Sequence, residues 1–403
     1  MTRRLALILP SSTYRAHDFV AAARAVDAEM VIATEEEQLL TDPARLVRID
    51  LSRPEWSAQQ IAERGPFDAI IPVDDGGVMI AAIAAAALGL PHSSAQAVAA
   101  TRDKAAMRRL FADAGVPQPA YRVVTTADDL GAAATDLGFP VVIKPVSLSA
   151  SQGVIRVDRP GDLDETAQRV RHIAAESGRS DATLLVEEYV PGAEVALEAM
   201  VADGKLIPLA MLDKPDPLDG PYFEETMFIT PSRHSPATQD AIVHVVDAAT
   251  AALGLAEGPV HAEARLGPAG VRMLELAARP IGGLCSRALE FGMLGSSLET
   301  VLVRHALRLP QGGLDPAAPA SGVMMIPVPR EGQLGAIAGL DAARGVAGVT
   351  GVEITVPPGE QLRPLPEGNR YLGFIFARGL DPEAVEESLR RAHHALSIDV
   401  IPL

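Results

Sequence analysis

The chain has 403 residues, 48% of them hydrophobic and 22% charged, with a net charge of −17 and a single cysteine, Cys285. That length supports two or three domains with ample apolar cores. The acidic balance argues against nucleic acid and anionic membranes as partners, because both select basic patches; nucleotide binding needs only a few local cations and stays open. One cysteine rules out a disulfide framework within the chain and favours a cytoplasmic location. The alanine-rich stretch Val78 to Leu90 is too short to span a bilayer and reads as a buried helix. Two arginines and about five apolar residues before Pro10 are too little for a signal peptide and read as an edge strand.

Residues 1 to about 95 alternate strand and helix patterns: strands at Arg4 to Leu9, Met30 to Ala33 and Phe67 to Val73, a helix across Phe19 to Val26, and the alanine-rich helix. This is an α/β pattern, a Rossmann-like parallel sheet with covering helices, and the absence of GxGxxG disfavours dinucleotide binding. Asp74-Asp75-Gly76-Gly77 follows the third strand at its carboxyl end, where open α/β sheets place their sites. The competing reading is a helix N-cap with acids against the dipole.

A helix from Thr101 is expected to be capped by Thr101, closed by Gly115 and stopped by Pro117. Lys104 lies in its first turn, where a cation opposes the macrodipole unless an anion is near. Next, β-branched Val141 to Ile143 predict a buried strand that ends on Lys144, with Pro145 stopping the ladder. Ser147, Ser149, Ser151 and Gly153 follow, hydroxyls and a permissive backbone position where main-chain N–H groups can approach an anion. The loop reads as a lid over phosphates; its order is not that of a Walker A loop. A second amphipathic helix runs from Leu163 to Ser177.

A buried strand from Thr183 breaks at Val190-Pro191-Gly192, which exposes backbone donors and acceptors of the kind that read an adenine edge. The chain then forms a hairpin turning at Asp203-Gly204, a type I′ signal. A further hairpin spans Gly258 to Pro280. With a three-residue loop Pro268-Ala269-Gly270, Gly267 faces Val271 and Glu263 lies directly opposite Glu275. Two carboxylates about 5 Å apart on one sheet face repel, by roughly 4 kcal/mol at a contact of ~4 Å and an effective dielectric of ~20. A cation between them is required, and magnesium suits such oxygen ligands. Arg279 shares the face of Glu275, and His261 stands opposite Ala277. The alternative is that the arginine neutralises both acids without metal.

After Gly282-Gly283 a helix is expected from Ser286 to Phe291, with Cys285 an inert packing residue. Residues from about 315 form another α/β block, with strands at Ser321 to Val328 and Tyr371 to Ala377 and an amphipathic helix from Pro382 to Leu396.

These segments, in this order, resemble the ATP-grasp superfamily from Thr101 to about Leu289: TRDK, FPVVIKP, the serine-glycine loop, EEYVPGAE and HAEARLGPAGVRMLELAARPIGG. Within it, the ARPIGG ending, Tyr222-Phe223-Glu224-Glu225-Thr226 and the block beginning at Gly373 are similar to the L-amino-acid ligase branch. The resemblance implies an ATP-grasp fold with an N-terminal domain over 1–95, a small subdomain with the phosphate lid over 96–185, a large subdomain with the metal site over 186–314 and a C-terminal subdomain over 315–403. It implies that Lys104 and Lys144 neutralise phosphate oxygens of ATP under the lid from Ser147 to Gly153. Glu187 and Val190 would meet the adenine, and Glu194 the ribose. Glu263 and Glu275 would hold one or two magnesium ions, or manganese in their place. Arg279 would stabilise the transferring phosphoryl group and the later tetrahedral adduct, and the backbone near Gly282 would help bind an oxyanion. One departure stands out: Ala277 replaces an asparagine common in the superfamily, which leaves a second metal position to water or to His261.

The implied function is an ATP-dependent carboxylate–amine ligase, joining a small carboxylic acid, an amino acid in particular, to an amine through an acyl phosphate; members of this branch often form homodimers. The alternatives are a carboxylase-like or formate-using enzyme of nucleotide metabolism and a non-catalytic ATP-binding module.

Overall fold

The computed structural model describes residues 2–11, 13–35, 45–125, 127–179 and 183–403. The N-terminal strands form a parallel sheet in the order Leu46–Arg48, Glu29–Thr34, Arg4–Ile8, Ala69–Pro72. Three of these are the strands expected from the sequence, but Arg4–Ile8, read there as an edge strand, is internal and paired on both sides; the short strand Leu46–Arg48 is an addition. The helices Ala16–Ala25 and Val78–Leu88 cover the sheet, the latter closed by left-handed Gly89. No described helix is long and apolar enough to cross a membrane.

Where one capped helix was expected from Thr101, the chain makes two. Ser94 caps Ala95–Arg102, and the Asp103 carboxylate then accepts from the N–H groups of Ala105 and Ala106 to start Lys104–Asp113. Thr101 is instead the penultimate residue of the first helix, its hydroxyl bonded to the Val98 carbonyl. Asp outranks Thr as a cap, and the correction leaves Lys104 in a first helical turn as expected.

A four-stranded antiparallel sheet follows, in the order Tyr121–Val124, Leu184–Glu188, Val141–Pro145, Ile155–Val157. Its alternation is informative. Val141 and Ile143 pack with Ala167 and Val170 of the helix Leu163–Glu176. Val142 and Lys144 therefore point to the opposite face, with Leu185 and Glu187 beside them.

A larger sheet of eight strands follows. Its expected hairpin turns at Asp203-Gly204, both residues with positive φ. Along Ala193–Ala202 and Gly258–Gly267, residues 195, 197, 199, 260, 262 and 264 pack towards the helix Pro236–Leu253. Residues 194, 198, 261, 263 and 265 are thereby committed to the other face. Gly192, in the link between the two sheets, has φ +121°, and a Cβ there would lie 2.1 Å from the Leu266 carbonyl oxygen. Only glycine lets the chain pass from one sheet to the other at that point.

The eight-stranded sheet runs on through Ala320–Ile326, Gly373–Gly379 and Val349–Ile354, while Gln361–Leu362, Gly332–Ala338 and Ser397–Ile401 form a separate three-stranded sheet. The segment after Gly283 departs from expectation. Cys285–Ala288 is a short 3-10 turn, and Glu290–Phe291 is a strand paired to Ser296–Ser297 rather than the end of a helix. The positive-φ glycines Gly292 and Gly295 turn the chain back after too few residues for a helix to grow. A core shared by Leu5, Leu7, Leu284, Leu298 and Phe374 packs the N-terminal block onto this segment.

Candidate active site

The cavity between the two sheets and the N-terminal block has a volume of about 470 Å³. Lys104, Lys144, Ser149, Ser151, Glu187, Val190, Glu194, Glu263, Glu275, Arg279 and Gly282 all line it. Ser147 and Gly153 are not in its wall. The Gly153 N–H donates to the Pro366 carbonyl at 2.9 Å and Gln152 Nε2 to the Glu367 carbonyl at 2.8 Å, so the far side of the serine loop is fastened to the C-terminal block.

The hairpin register holds at the decisive pair by a route the sequence did not reveal. The turn has two residues, with Gly267 facing Gly270, one position off the expected pairing. A bulge between Glu263 and Ala264 then restores the alignment, so Glu263 faces Glu275 and His261 faces Ala277. The two acids are not bridged by Arg279. Lys104 Nζ bonds Glu275 at 3.0 Å and the Leu148 carbonyl at 2.6 Å, which supplies the anion that a lysine in a first helical turn needs. Glu263 accepts from His261 Nε2 at 3.1 Å and faces Lys214 Nζ at 3.5 Å. Arg279 Nε turns to Asp75 of the N-terminal block, at 2.9 Å. Asp74 makes no side-chain cap, so the N-cap reading of this acidic pair is replaced by a cavity-wall one.

Lys144 and Glu187 illustrate the electrostatics of one wall. Lys144 Nζ lies 2.6 Å from Glu187, which also binds Arg108, all three being buried. Burial disfavours the Glu187 carboxylate, but Arg108 and Lys144 more than offset this and hold it below the usual range. Burial lowers the Lys144 ammonium, and sharing one carboxylate with Arg108 does not compensate. Both groups move down: the two cations that share Glu187 favour its charge, whereas burial and the neighbouring Arg108 work against that of Lys144, so this wall is short of negative charge. Glu187 thus faces cations, and its side chain is committed to them rather than free for an adenine edge. The Val190 carbonyl likewise accepts from Arg265 Nη1 at 2.8 Å, and Glu194 binds Lys214 at 2.6 Å and Arg265 at 2.8 Å.

The other wall has the reverse imbalance. Glu194, Glu225 and Glu263 each present an oxygen within 4.8 Å of the others, with Lys214 among them. Burial and the neighbouring carboxylates push Glu225 up to about 7, although Lys214 opposes them. Glu275 is not part of this cluster. His261 uses both ring nitrogens, Nδ1 on Glu198 and Nε2 on Glu263, and is therefore no ligand for a second metal. Burial works against its charge, but Glu198 and Glu263 raise it to about 9. Cys285 is buried and its thiol is pushed up by burial, in keeping with an inert residue.

The His261 pair has a consequence for stability. A histidine raised from 6.5 to about 9 contributes roughly 3 kcal/mol. That contribution is fully present below pH 6.5 and is lost as pH rises through about 9. Urea unfolding with chelator present is expected to lose stability across this window, and His261→Asn to flatten the loss; an unchanged slope in the variant would remove His261 as its source.

Comparison with known proteins places this geometry. Residues 137–288 match the family model described as an ATP-grasp domain, and residues 324–400 the one described as L-amino acid ligase C-terminal domain 2. Residues 137–288 are an ATP-grasp domain. The whole chain superposes on the crystal structure of an L-amino acid ligase from Bacillus licheniformis with a TM-score of 0.81, at 24% identity and 99% coverage of both chains. The sequence is 29% identical to alanine–anticapsin ligase of Bacillus subtilis over 51% of this chain and 47% of that one. It is 27% identical to protein y4rH of Sinorhizobium fredii over 78% of this chain and 64% of that one. The chain thus spans about half to two thirds of the length of these curated relatives.

Lys214 and Glu198 were missed in the sequence, and Asp75 and Glu225 stood in segments singled out there without a role of their own. Lys214 had a signal: like Lys144, it follows an apolar strand and precedes a proline.

Proposed function

We propose that the protein is an ATP-dependent ligase that joins the carboxylate of a small acid, an amino acid above all, to an amine, releasing ADP and phosphate. The observation that carries this reading is the pair of opposed walls. One presents Lys144 and Arg108 to a single carboxylate, and the other presents Glu194, Glu198, Glu225 and Glu263 to Lys214, Arg265 and His261. The first is short of an anion and the second of a cation, as a metal-bound polyphosphate requires. The all-oxygen donor set Glu194, Glu225 and Glu263, with Glu275 across the hairpin, fits magnesium or manganese. Such an ion would neutralise phosphate oxygens.

In this reading Lys104 and Lys144 hold phosphate oxygens and the loop around Ser149 and Ser151 covers them. The γ-phosphoryl group passes to a carboxylate oxygen, ADP leaves, and the amine attacks the acyl carbon with loss of phosphate and a proton. Arg279 offsets the negative charge that develops in both steps. Closure of the cavity keeps water from the acyl phosphate. A carboxylate is a poor electrophile, and phosphorylation supplies the leaving group without an enzyme nucleophile, which accords with the raised thiol of Cys285. The test is incubation with ATP, magnesium and paired amino acids, with detection of ADP, phosphate and an amide product. AMP and pyrophosphate in their place would overturn the mechanism.

A further inference from the structure

We propose that residues 363–371 of the C-terminal block are the catch of the serine loop: they hold Ser149 and Ser151 over the cavity, with Gln152 and Arg169 as the positioning residues that engage them. This rests on the ligase reading and gives the C-terminal block a part in it. The loop needs holding. Ala150 and Ser151 have φ of +55° and +54°, a left-handed backbone that residues with side chains keep only where their surroundings impose it. Their own turn supplies little, with the Gln152 N–H donating to the Ser149 carbonyl at 3.2 Å and the Val154 N–H to that of Ser151 at 3.1 Å. The rest comes from the C-terminal block: the Pro366 carbonyl takes the Gly153 N–H, and the Glu367 carbonyl takes Nε2 of buried Gln152. The Glu367 carboxylate also accepts from Arg169 Nε at 2.7 Å, and Arg363 Nη1 donates to Glu176 at 3.0 Å. The helix Leu163–Glu176 therefore meets the same segment as the loop does.

The segment has a fixed shape of its own. Leu362 pairs with Gly332 at one end, the Leu372 N–H bonds the Ile326 carbonyl at 2.9 Å at the other, and the Gly368 N–H closes the turn on the Pro364 carbonyl at 2.9 Å. A Cβ on Gly368 would lie 1.8 Å from the Arg363 carbonyl oxygen, so the turn requires glycine. Its last residues, Asn369, Arg370 and Tyr371, line the cavity. One short segment thus touches the serine loop at one end and the cavity interior at the other. Its grip on the loop and helix is light: two hydrogen bonds and two ion pairs between partly exposed side chains. A loop that covers phosphates has to swing aside for a nucleotide to enter, and a light catch allows it. A substrate seated against Asn369 to Tyr371 steadies the segment and through it the loop, so nucleotide and amino acid bind more tightly together than apart, each by the same factor. With the catch broken, water reaches the acyl phosphate and attacks its acyl carbon. Phosphate leaves and the free acid returns, so ATP and water end as ADP and phosphate with no amide formed.

The test combines hydrogen exchange with product ratios on the whole chain, native and carrying both Gln152→Ala and Arg169→Ala. Glu367→Ala, a single change at a partly exposed side chain, keeps the question open to experiment should the double variant misfold. With a non-hydrolysable ATP analogue and magnesium, the amides of residues 149–154 are expected to exchange about tenfold faster in the double variant than in the native protein, the scale of a lost hydrogen bond, and by a smaller factor in Glu367→Ala. Unchanged protection of the strand Gly258–Gly267 certifies that each variant is folded. Under turnover with ATP, magnesium and paired amino acids, the ratio of ADP to amide is expected to rise about three- to tenfold in the double variant. Arg169→Lys keeps the pair with Glu367 and should stay close to the native ratio. Native exchange in the variants, a loop that the nucleotide analogue does not protect in the native protein, or slower turnover at an unchanged ratio would overturn the proposal. Absence of ADP and amide from the native protein with every pair would instead overturn the ligase reading, and the exchange result would still decide the catch.

Discussion

Glu275→Ala is expected to abolish ADP release, by at least about a hundredfold, the scale of removing one preorganised electrostatic contact from a transition state. The fold is expected to persist. The Glu275 side chain is 32% exposed and contributes one ion pair, to Lys104, whose ammonium keeps the Leu148 carbonyl. Its value lies in position: opposite Glu263 across the hairpin, on the face that looks into the cavity. Glu275→Gln separates charge from shape, since the amide keeps the volume and a donor-acceptor group but cannot neutralise a cation. It should fall nearly as far as alanine. ADP production by Glu275→Ala at the native rate would remove this residue from the metal-binding pair, leaving the cluster of Glu194, Glu225 and Glu263 to hold any ion.

The residues that were legible in the sequence are those whose role follows from local pattern. Lys144 ends a β-branched strand before a proline, and its burial at a strand end follows from that pattern. The facing of Glu263 and Glu275 was legible for a weaker reason: the expected three-residue turn is a two-residue turn, and the bulge that corrects for it has no marker in the composition. What stayed hidden depends on contacts between distant segments. Asp75 and Arg279 are 204 positions apart, and their pairing exists only because the N-terminal block packs on the Gly282 loop. Glu198 looks like any inward residue of a long strand until His261 is placed beside it by register. Gly283 was read only as leading into the helix expected from Ser286. Its φ of +58° and a Cβ position 2.7 Å from the Phe374 ring show that it is required for the loop to pass the C-terminal strand.

Glu299→Ala is expected to destabilise the protein by about 3–5 kcal/mol, the loss found when one partner of a buried pair is removed. Arg15 and Glu299 are each 1% exposed at the side chain, with Nη2 and Oε1 2.9 Å apart. Burial alone would disfavour the Glu299 carboxylate, but Arg15 and Ser286 hold it below the usual range. Removing it strands a guanidinium that has no route to water and whose Nε already lacks a partner. The cost should extend to the site. Arg15 Nη1 donates to the Ile281 carbonyl at 3.0 Å and faces the Val73 carbonyl at 3.4 Å, so one side chain fixes the residue before Gly282 against the strand end before Asp74. Glu299→Gln retains an acceptor for Arg15 and should lose less. Replacing both residues with apolar ones of similar volume should lose least, since a buried pair adds little net stability over good packing. Urea unfolding midpoints of the three variants decide the matter. A loss below about 1 kcal/mol for Glu299→Ala, the scale of an exposed pair, would mean that Arg15 finds another acceptor and does not clamp the two halves of the cavity wall.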